Sequence, residues 1–232
     1  MRERRNNHLG YALAAMWVGV VAGSIAAAAA PAQHRSVDSR RGAPRGVVAP
    51  GLAPKTLEMA LRAYDRARKR GEVRRPILSI IDYSLPSTEK RLWVLDLEHR
   101  RVLFHELVAH GRRSGENEAH AFSNIAGSQK SSLGVFRTGL EYRGEHGRSL
   151  RLEGLEPGIN DHAAERAIVL HGAPYVSDEF AARFGRLGRS LGCPVVRPAI
   201  ADSLIETIRD GTLLFASYPD STYATRSTYL AR

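Results

Sequence analysis

The chain is 232 residues long, carries a formal net charge of +10 at pH 7 and contains a single cysteine, Cys193. One cysteine excludes an internal disulfide, so in an exported chain the thiol is either buried and inert or reactive. The positive charge attracts polyanions, which leaves nucleic acid, anionic lipid and the acidic polymers of a cell envelope as classes of partner.

The N-terminus has the composition of a secretory signal, which we predict over residues 1–32. Arginines precede an uncharged stretch from Leu9 to Ala30, and small residues then match a cleavage site before Gln33. An uncleaved membrane anchor is the alternative, because about 20 apolar residues span a bilayer. No cysteine follows the apolar run, which excludes lipoprotein processing. We expect export to the periplasm or cell wall, which removes nucleic acid as a partner and leaves electrostatic association with the anionic envelope.

A flexible linker and an amphipathic helix are predicted next. Residues 33–54 are rich in Arg, Pro and Gly and poor in apolar residues, which is typical of a tether. Apolar residues then recur at helical spacing up to a stop at Gly71. The residues with this spacing are Leu57, Ala60, Leu61, Tyr64 and Ala67.

From Ile77 onward, short apolar segments replace the helical pattern. Those predicted as strands are residues 77–83, 91–97, 101–110, 132–138, 149–155, 167–172 and 212–218. The short turn at 98–100 predicts a hairpin, and residues 199–211 are predicted as a helix closed by a glycine. Together these elements predict one mostly β, α+β domain over residues 55–220. The tail, residues 221–232, shows no core pattern, and we expect it to be loose.

Cys193 lies in a glycine-rich segment, residues 185–197, that suits a nucleophile. A thiol attacks as its thiolate, so it needs a nearby base and an electropositive pocket. Gly188 and Gly192 allow a substrate to approach the main chain closely. The N–H groups of Gly192 and Cys193 are the predicted donors to an oxyanion, and Arg189 adds positive charge.

The base must be one of nine histidines, and His171 is the strongest candidate. It closes the apolar segment 167–172, and a strand end is a place where a rigid scaffold presents functional groups. A structural histidine, satisfied in the core or at a strand edge, is the alternative reading of the same residue.

These two segments resemble a known family. His171-Gly172 at a strand end, followed after a loop by Ser190-Leu191-Gly192-Cys193, resembles the murein L,D-transpeptidase catalytic domain family (YkuD-like). The resemblance extends over residues 76–219. It implies a mostly β fold of β-sandwich-like sheets with a few helices, and Cys/His acyl transfer on peptidoglycan tetrapeptide stems. It implies no metal or organic cofactor, because thiolate, imidazole and backbone donors suffice for acyl transfer.

The resemblance also implies roles for individual residues. Cys193 matches the nucleophile of the family and His171 matches its base. A carbonyl around Gly172 is expected to orient the imidazole. Ser190 and Gly192 match the Ser/Thr and the glycine of the cysteine motif, and we expect them to support the nucleophile.

Two positions depart from the family motif. Leu191 stands where the family usually has a second histidine, and Val195 stands where it usually has an arginine. His146, beside a glycine in a polar segment, is a candidate to replace that histidine and to line the substrate cleft. Arg189 and Arg197 are candidates to replace the arginine.

Other polar residues allow a rival interpretation. The segment FHELVAH, residues 104–110, looks like a zinc motif, but His105 and His110 are five residues apart rather than four, so they do not share a helix face. A zinc peptidase is the rival enzyme, and we predict no metal site. His110, and Ser132 in a segment that the family places near the cleft, are further candidates for lining the substrate cleft.

The implied reaction begins when the Cys193 thiolate attacks the carbonyl of the third residue of a tetrapeptide stem. His171 protonates the departing D-alanine, and an amine or water then resolves the thioester. The amine gives a cross-link, whereas water gives a trimmed stem, the product of an L,D-carboxypeptidase. A non-catalytic envelope-binding module of the same fold, in which Cys193 is structural, is the alternative outside enzymes.

Overall fold

The structure of the chain, a computed structural model, describes residues 46–231. The predicted signal, residues 1–32, lies outside the described residues, and so do residues 33–45 of the predicted linker. Within the described part, no helix is both long and apolar enough to cross a membrane.

Residues 46–231 form four helices and eight strands. The helices are α1 (Pro54–Lys69), α2 (Asp178–Phe184), α3 (Pro198–Ile208) and α4 (Ser221–Arg226). The strands are β1 (Ile77–Asp82), β2 (Leu92–Asp96), β3 (Arg101–Glu106), β4 (Gly134–Gly144), β5 (Gly147–Gly154), β6 (Val169–Gly172), β7 (Val195–Val196) and β8 (Leu213–Ser217). The predicted mostly β, α+β class is therefore confirmed.

The strands form one continuous sheet in the order β3-β2-β1-β8-β4-β5-β6-β7. The β1–β8 and β6–β7 pairs are parallel, and the other neighbours are antiparallel. The predicted hairpin at 98–100 joins β2 to β3, and its last turn residue, Arg100, has φ 56°. Each predicted strand segment overlaps an observed strand, whereas β7 and the long β4–β5 hairpin tip are not predicted.

The two edges of the sheet are joined by the segment that follows β3. Ala109 bridges Val195 of β7: the Ala109 N–H donates to the Val195 carbonyl, and the Val195 N–H donates to the Ala109 carbonyl. The forward bond is 2.8 Å and the return bond is 3.3 Å. Because β3 and β7 are the outermost strands, these bonds bring the sheet close to a barrel.

The apolar core lies where the central strands meet α1 and α3. Every residue of β1, β2 and β8 is buried, which explains why these strands are continuous apolar runs in the sequence. α1 begins with a proline in its first turn and buries one face: Ala60, Ala63, Tyr64 and Ala67. α3 buries Ala201, Leu204, Ile205 and Ile208 in the same way.

The predicted boundary between linker and domain is wrong. Residues 46–54 were predicted as flexible linker, but Val47, Ala49 and Leu52 are buried in the core. The Trp93 indole N–H donates to the carbonyl of Pro50 at 3.0 Å, which fixes this segment against β2. The prolines and glycines of this segment belong to an ordered stretch that leads into α1. Composition alone therefore predicted flexibility where the chain is ordered.

The prediction of a loose tail over residues 221–232 is also wrong for the described part. Tyr223 and Tyr229 are buried, and the tail forms α4. The Tyr223 hydroxyl donates to Glu156 at 3.1 Å, and the Tyr229 hydroxyl donates to Glu72 at 2.6 Å. Both carboxylates are distant in sequence, so the tail has no local pattern that predicts its packing.

Candidate active site

Cys193 lies in the turn between α2 and β7, directly before the short parallel pair that β7 forms with β6. In this pair Val195 is the register partner of His171. The turn that carries the thiol therefore ends beside the strand that carries the imidazole. The tertiary structure thus brings the two predicted catalytic residues, 22 positions apart in sequence, to neighbouring segments of one sheet edge.

The Cys193 thiol is half-buried and contacts the main chain of the segment before His171. Its Sγ accepts from the Val169 N–H at 3.4 Å and donates to the Ala167 carbonyl at 3.6 Å. Burial raises the pKa of the Cys193 thiol, while the Val169 N–H and the charge of Arg166 act in the opposite direction. Within residues 46–231, no hydrogen bond joins the thiol to His171.

His171 is held as a neutral base. Its side chain is buried, and Nδ1 lies 3.1 Å from the Gly172 carbonyl. Because a carbonyl only accepts, Nδ1 carries the hydrogen and Nε2 keeps its lone pair. Burial lowers the pKa of His171, and His146 lowers it further, against the opposing effect of the Gly172 bond. The imidazole is therefore ready to accept a proton at neutral pH.

Gly172 allows α3 to pack closely against the strand end that bears His171. A Cβ at this position would lie 2.9 Å from the Cβ of Ala201 and 3.2 Å from the Cα of Pro198. Both atoms belong to α3, so a side chain at Gly172 would push the helix and the strand apart. Gly172 thus has two roles. It allows close packing of α3, and its carbonyl orients the imidazole of His171.

The ring of His146, a predicted cleft residue, lies against the imidazole of His171. His146 sits in the turn between β4 and β5, and its ring stacks on that of His171 with 4.4 Å between centroids and 17° between planes. The side chain is exposed, and Leu191, which replaces the second histidine of the family motif, is 63% exposed. The long hairpin of β4 and β5 thus supplies an imidazole from a part of the chain far from the motif.

Ser190 organises the turn around Cys193 and occupies one of the predicted oxyanion donors. Its Oγ donates to the Cys193 carbonyl at 2.7 Å and accepts from the Gly192 N–H at 3.0 Å. The prediction that both the Gly192 and Cys193 N–H groups are free for an oxyanion is therefore wrong. The Cys193 N–H interacts only with its own sulfur among the described residues, so it is the donor that remains.

The turn is also fixed from below by two other segments. The Ser131 hydroxyl donates to the Gly192 carbonyl at 3.1 Å and accepts from the Gly111 N–H at 3.0 Å. The Ser190 N–H donates to the His110 carbonyl at 3.0 Å. Backbone and hydroxyl bonds thus hold the main chain on both sides of Cys193.

The prediction that His110 lines the substrate cleft is wrong, because its side chain is fully buried beneath this turn. Its Nδ1 lies 2.7 Å from the Arg91 guanidinium and its Nε2 lies 3.3 Å from the Gly115 carbonyl. Burial and the charge of Arg91 lower the pKa of His110 to about 4. His105 instead stacks on Trp93. Across residues 46–231, no group of three or more His, Cys, Asp or Glu side chains could hold a metal ion.

The structure places the remaining predicted cleft residues in supporting positions. Arg189 donates to the Gly115 carbonyl at 3.2 Å and forms an ion pair with Glu116. Ser132 is buried, and its hydroxyl donates to the Ser123 carbonyl at 2.9 Å. The Ser132 hydroxyl and one nitrogen of the Arg189 guanidinium are thus engaged within the protein.

Both candidates for the missing motif arginine form ion pairs with carboxylates. Arg189 is engaged as described, and Arg197 forms an ion pair with Glu106. Sequence reasoning missed Arg166, the cation that acts on the thiol. The signal available was its position five residues before His171, at the start of the apolar segment.

Tyr175 is a second neighbour of Cys193. It was not identified from the sequence. Its ring packs over Gly188, and it belongs with Cys193 to a small apolar cluster beside β7. Burial, with a smaller effect of Cys193, raises the pKa of Tyr175 to about 12, so the phenol stays protonated at neutral pH. The space that we predicted for substrate at Gly188 is therefore filled by this ring.

Together these features define a mostly β protein with a cysteine and a neutral histidine on neighbouring segments of one sheet edge. The family model described as L,D-transpeptidase catalytic domain matches residues 48–217, more than half of the chain. The chain belongs to this family. A search of curated proteins finds no significant match.

Several solved structures are similar to the chain at low identity. An L,D-transpeptidase from Mycobacterium smegmatis is 13% identical with a TM-score of 0.38, and the match covers 62% of this chain and 59% of that one. The helical cell shape determining protein Pgp2 from Campylobacter jejuni is 16% identical with a TM-score of 0.42, over 62% of this chain and 48% of that one. An L,D-transpeptidase from Xylanimonas cellulosilytica is 15% identical with a TM-score of 0.37, over 66% and 69%. The chain thus spans less than two thirds of the first two structures.

Proposed function

We propose that the chain is an L,D-transpeptidase, a cysteine acyltransferase that acts on peptidoglycan tetrapeptide stems. The observation that carries this proposal is the pairing of β6 with β7, which sets the Cys193 turn beside a neutral imidazole with a free Nε2. Membership of the L,D-transpeptidase catalytic domain family supports the same chemistry.

The first step is acylation of the thiol. The Cys193 proton passes to Nε2 of His171, and the thiolate attacks the carbonyl carbon of the third residue of the stem. The Cys193 N–H is the backbone donor available to the oxyanion, and one such donor contributes about 3 kcal/mol in the transition state. When the tetrahedral intermediate collapses, the bond to D-alanine breaks and His171 returns its proton to the departing amine.

The second step resolves the thioester. An acceptor amine attacks the acyl carbon, forms the new peptide bond and releases the thiol, with His171 taking the proton of the amine. If water attacks instead, the product is a shortened stem, and the protein acts as an L,D-carboxypeptidase. The choice depends on which nucleophile reaches the thioester.

The resting thiol must change partner before it reacts. In this structure Sγ donates to the Ala167 carbonyl, whereas catalysis requires that its proton reach His171. A thiolate keeps the Val169 N–H as a donor, since this bond suits the anion better than the neutral thiol. The switch of partner therefore accompanies ionisation of the thiol.

We also propose that the protein works outside the cytoplasm. The N-terminal signal pattern supports export, and a net charge of +10 supports association with an anionic envelope. Fractionation of cells that express the full chain, with detection of the N-terminus of the exported form, tests this directly.

Intact-mass spectrometry of the purified protein with a disaccharide tetrapeptide tests the enzymatic proposal. We expect an acyl adduct on the wild type that Cys193→Ala lacks, and Cys193→Ala should keep the wild-type Tm. His171→Ala should slow adduct formation by about 100- to 10,000-fold, the usual contribution of a general base. His162→Ala, an exposed histidine outside the site, is the matched control and should react normally.

Addition of a free D-amino acid distinguishes transfer from hydrolysis. A product that contains the added amino acid indicates transpeptidation, and a tripeptide indicates carboxypeptidase activity. If the folded wild type neither forms an adduct nor alters the tetrapeptide, the enzymatic proposal is wrong.

A non-catalytic envelope-binding module is the second candidate, and burial of the thiol favours it. Burial raises the pKa of Cys193, as it does for inert structural cysteines. A folded protein whose single thiol fails to react with iodoacetamide, yet which binds purified peptidoglycan, would support this second function.

A further inference from the structure

Arg166 is a half-buried cation that ties together the loop opposite the nucleophile. Its guanidinium donates to four oxygens of one loop. These are the carbonyl of Ser123 at 2.6 Å, the hydroxyl of Ser132 at 2.5 Å, the carbonyl of Lys130 at 2.5 Å and the hydroxyl of Ser128 at 3.3 Å. All four partners are neutral, so they position the guanidinium without neutralising it.

The charge of Arg166 has no carboxylate partner in the part of the chain that the structure describes. The other arginines considered for this site do have one, because Arg189 pairs with Glu116 and Arg197 pairs with Glu106. Burying an unpaired cation is costly unless an anion forms nearby during the function of the protein. An anion formed at the Cys193 thiol would be such a partner for Arg166.

The guanidinium lies against the turn that carries the nucleophile. A Cβ at Gly192 would lie 3.2 Å from Nη2 of Arg166 and 2.9 Å from the Lys130 carbonyl that Arg166 holds. Gly192 has φ +132°, a conformation that other residues rarely adopt. The turn and the guanidinium are therefore in close contact one residue before Cys193.

The segment of Arg166 also supplies both hydrogen-bond partners of the thiol. Ala167 gives the carbonyl that accepts from Sγ, and Val169 gives the N–H that donates to it. Ala167 has φ 52°, which is uncommon for a residue with a side chain. Ala167, with its left-handed backbone conformation, lies in the chain between Arg166 and the strand that carries His171.

We propose that Arg166 is a positioning residue whose charge favours the Cys193 thiolate and whose four hydrogen bonds hold residues 123–132 against Gly192. The proposal rests on the proposed function only in taking Cys193 as the nucleophile. When the thiol gives its proton to His171, the new anion faces a cation that has no carboxylate partner among residues 46–231. The structure thus provides the positive charge that the motif lacks at Val195.

The pH dependence of alkylation by iodoacetamide tests this proposal without any peptidoglycan substrate. Cys193 is the only cysteine, so one adduct in the intact mass reports it alone. The midpoint of the profile measures ionisation of the thiol, and the limiting rate at high pH measures its accessibility. The proteins compared are the wild type, Arg166→Gln, Arg166→Lys and the control Arg62→Gln, which removes one exposed charge on α1.

We expect Arg166→Gln to move the midpoint to higher pH and to slow alkylation at pH 7 by about tenfold, the effect of losing one nearby opposite charge. Arg166→Lys keeps a charge but fewer hydrogen bonds, so it should lower the Tm and keep the midpoint near that of the wild type. Arg62→Gln should match the wild type in both. A wild-type midpoint in folded Arg166→Gln, or equal shifts in the Gln and Lys variants, would overturn the role of the charge.

A measurement on the wild type decides the question if Arg166→Gln does not fold. An unpaired cation beside the thiol favours an anionic reagent, so the rate ratio of iodoacetate to iodoacetamide should exceed that of free cysteine several-fold and fall with added salt. A ratio equal to that of free cysteine would refute the proposal. Because neither assay uses the tetrapeptide, failure of stem turnover contradicts the proposed function and leaves this result unaffected.

Discussion

Two regions of the sheet are stabilised in different ways. β1, β2 and β8 bury every side chain and are held by apolar packing. The turn before β7 is instead held by hydroxyl and backbone hydrogen bonds, above all those of Ser131 and Ser190. Apolar burial is strong but not directional, whereas hydrogen bonds are weaker in net energy and fix geometry. Apolar packing of β1, β2 and β8 thus supplies most of the stability, whereas hydrogen bonds of the turn before β7 fix the geometry of the site.

Removing core volume tests the first region. Ile80 in β1 is fully buried, so Ile80→Ala should lower the free energy of unfolding by about 2–5 kcal/mol. The variant should still form the acyl adduct at its wild-type rate where it remains folded. Urea denaturation measures the stability, and intact mass measures the adduct.

The matched change in the second region is Ser131→Ala. It removes the hydrogen bond to the Gly192 carbonyl and the one from the Gly111 N–H, so it should cost about 1–2 kcal/mol, less than Ile80→Ala, yet slow acylation more. If the two variants lose activity in proportion to their loss of stability, the division between the regions is wrong.

Gly172→Ala tests the boundary between the two regions. The new methyl group meets Ala201 of α3, so we expect the free energy of unfolding to fall by about 1–3 kcal/mol and acylation to slow as His171 shifts. Ala201→Gly in the same chain removes the closer contact and should restore part of both losses. A double-mutant cycle in urea gives the coupling, and zero coupling would contradict the contact.

The buried carboxyl of Glu156 should make stability depend on pH. Burial raises its pKa in the folded chain, so its contribution to stability is present below the unfolded value, about 4.3, and is lost as pH rises through the folded pKa. We therefore expect the stability of Glu156→Gln relative to the wild type to improve as pH rises from 4 to 7. Urea denaturation at several pH values measures this difference, with the exposed Glu118→Gln as control. A difference that is constant across pH would show that Glu156 does not titrate in this way.

The smallest expected effect concerns the stack of His146 on His171. Burial is the main reason that the pKa of His171 is low, and His146 lowers it further. His146→Ala should raise the pKa of His171, so the acidic limb of acylation moves to higher pH and the rate at pH 6 falls roughly twofold. The plateau above the limb should not change. A pH–rate profile measures this, and a limb that moves to lower pH would contradict the role of the stack.

The apolar half of the fold and the pair of residues proposed to react, Cys193 and His171, could be predicted from the sequence alone. Local patterns predict β1, β2, β8 and α1: continuous apolar runs in the strands and helical spacing in α1. Such patterns involve residues close together in the sequence, so no tertiary structure is needed to recognise them. The resemblance around Cys193 and His171 likewise depends on short contiguous motifs. The tertiary structure then confirmed the strand segments and placed the two residues on neighbouring segments.

The contacts that assemble the site are visible only in the tertiary structure. The bond from Ser131 to Gly192 spans 61 residues and the stack of His146 on His171 joins a hairpin tip to another strand, so neither leaves a local pattern. The same holds for Arg166, because its lack of a carboxylate partner within residues 46–231 depends on where the carboxylates lie in the folded chain. Directional contacts between distant residues exist only once the chain has folded, because burial brings the segments together before hydrogen bonds can fix them.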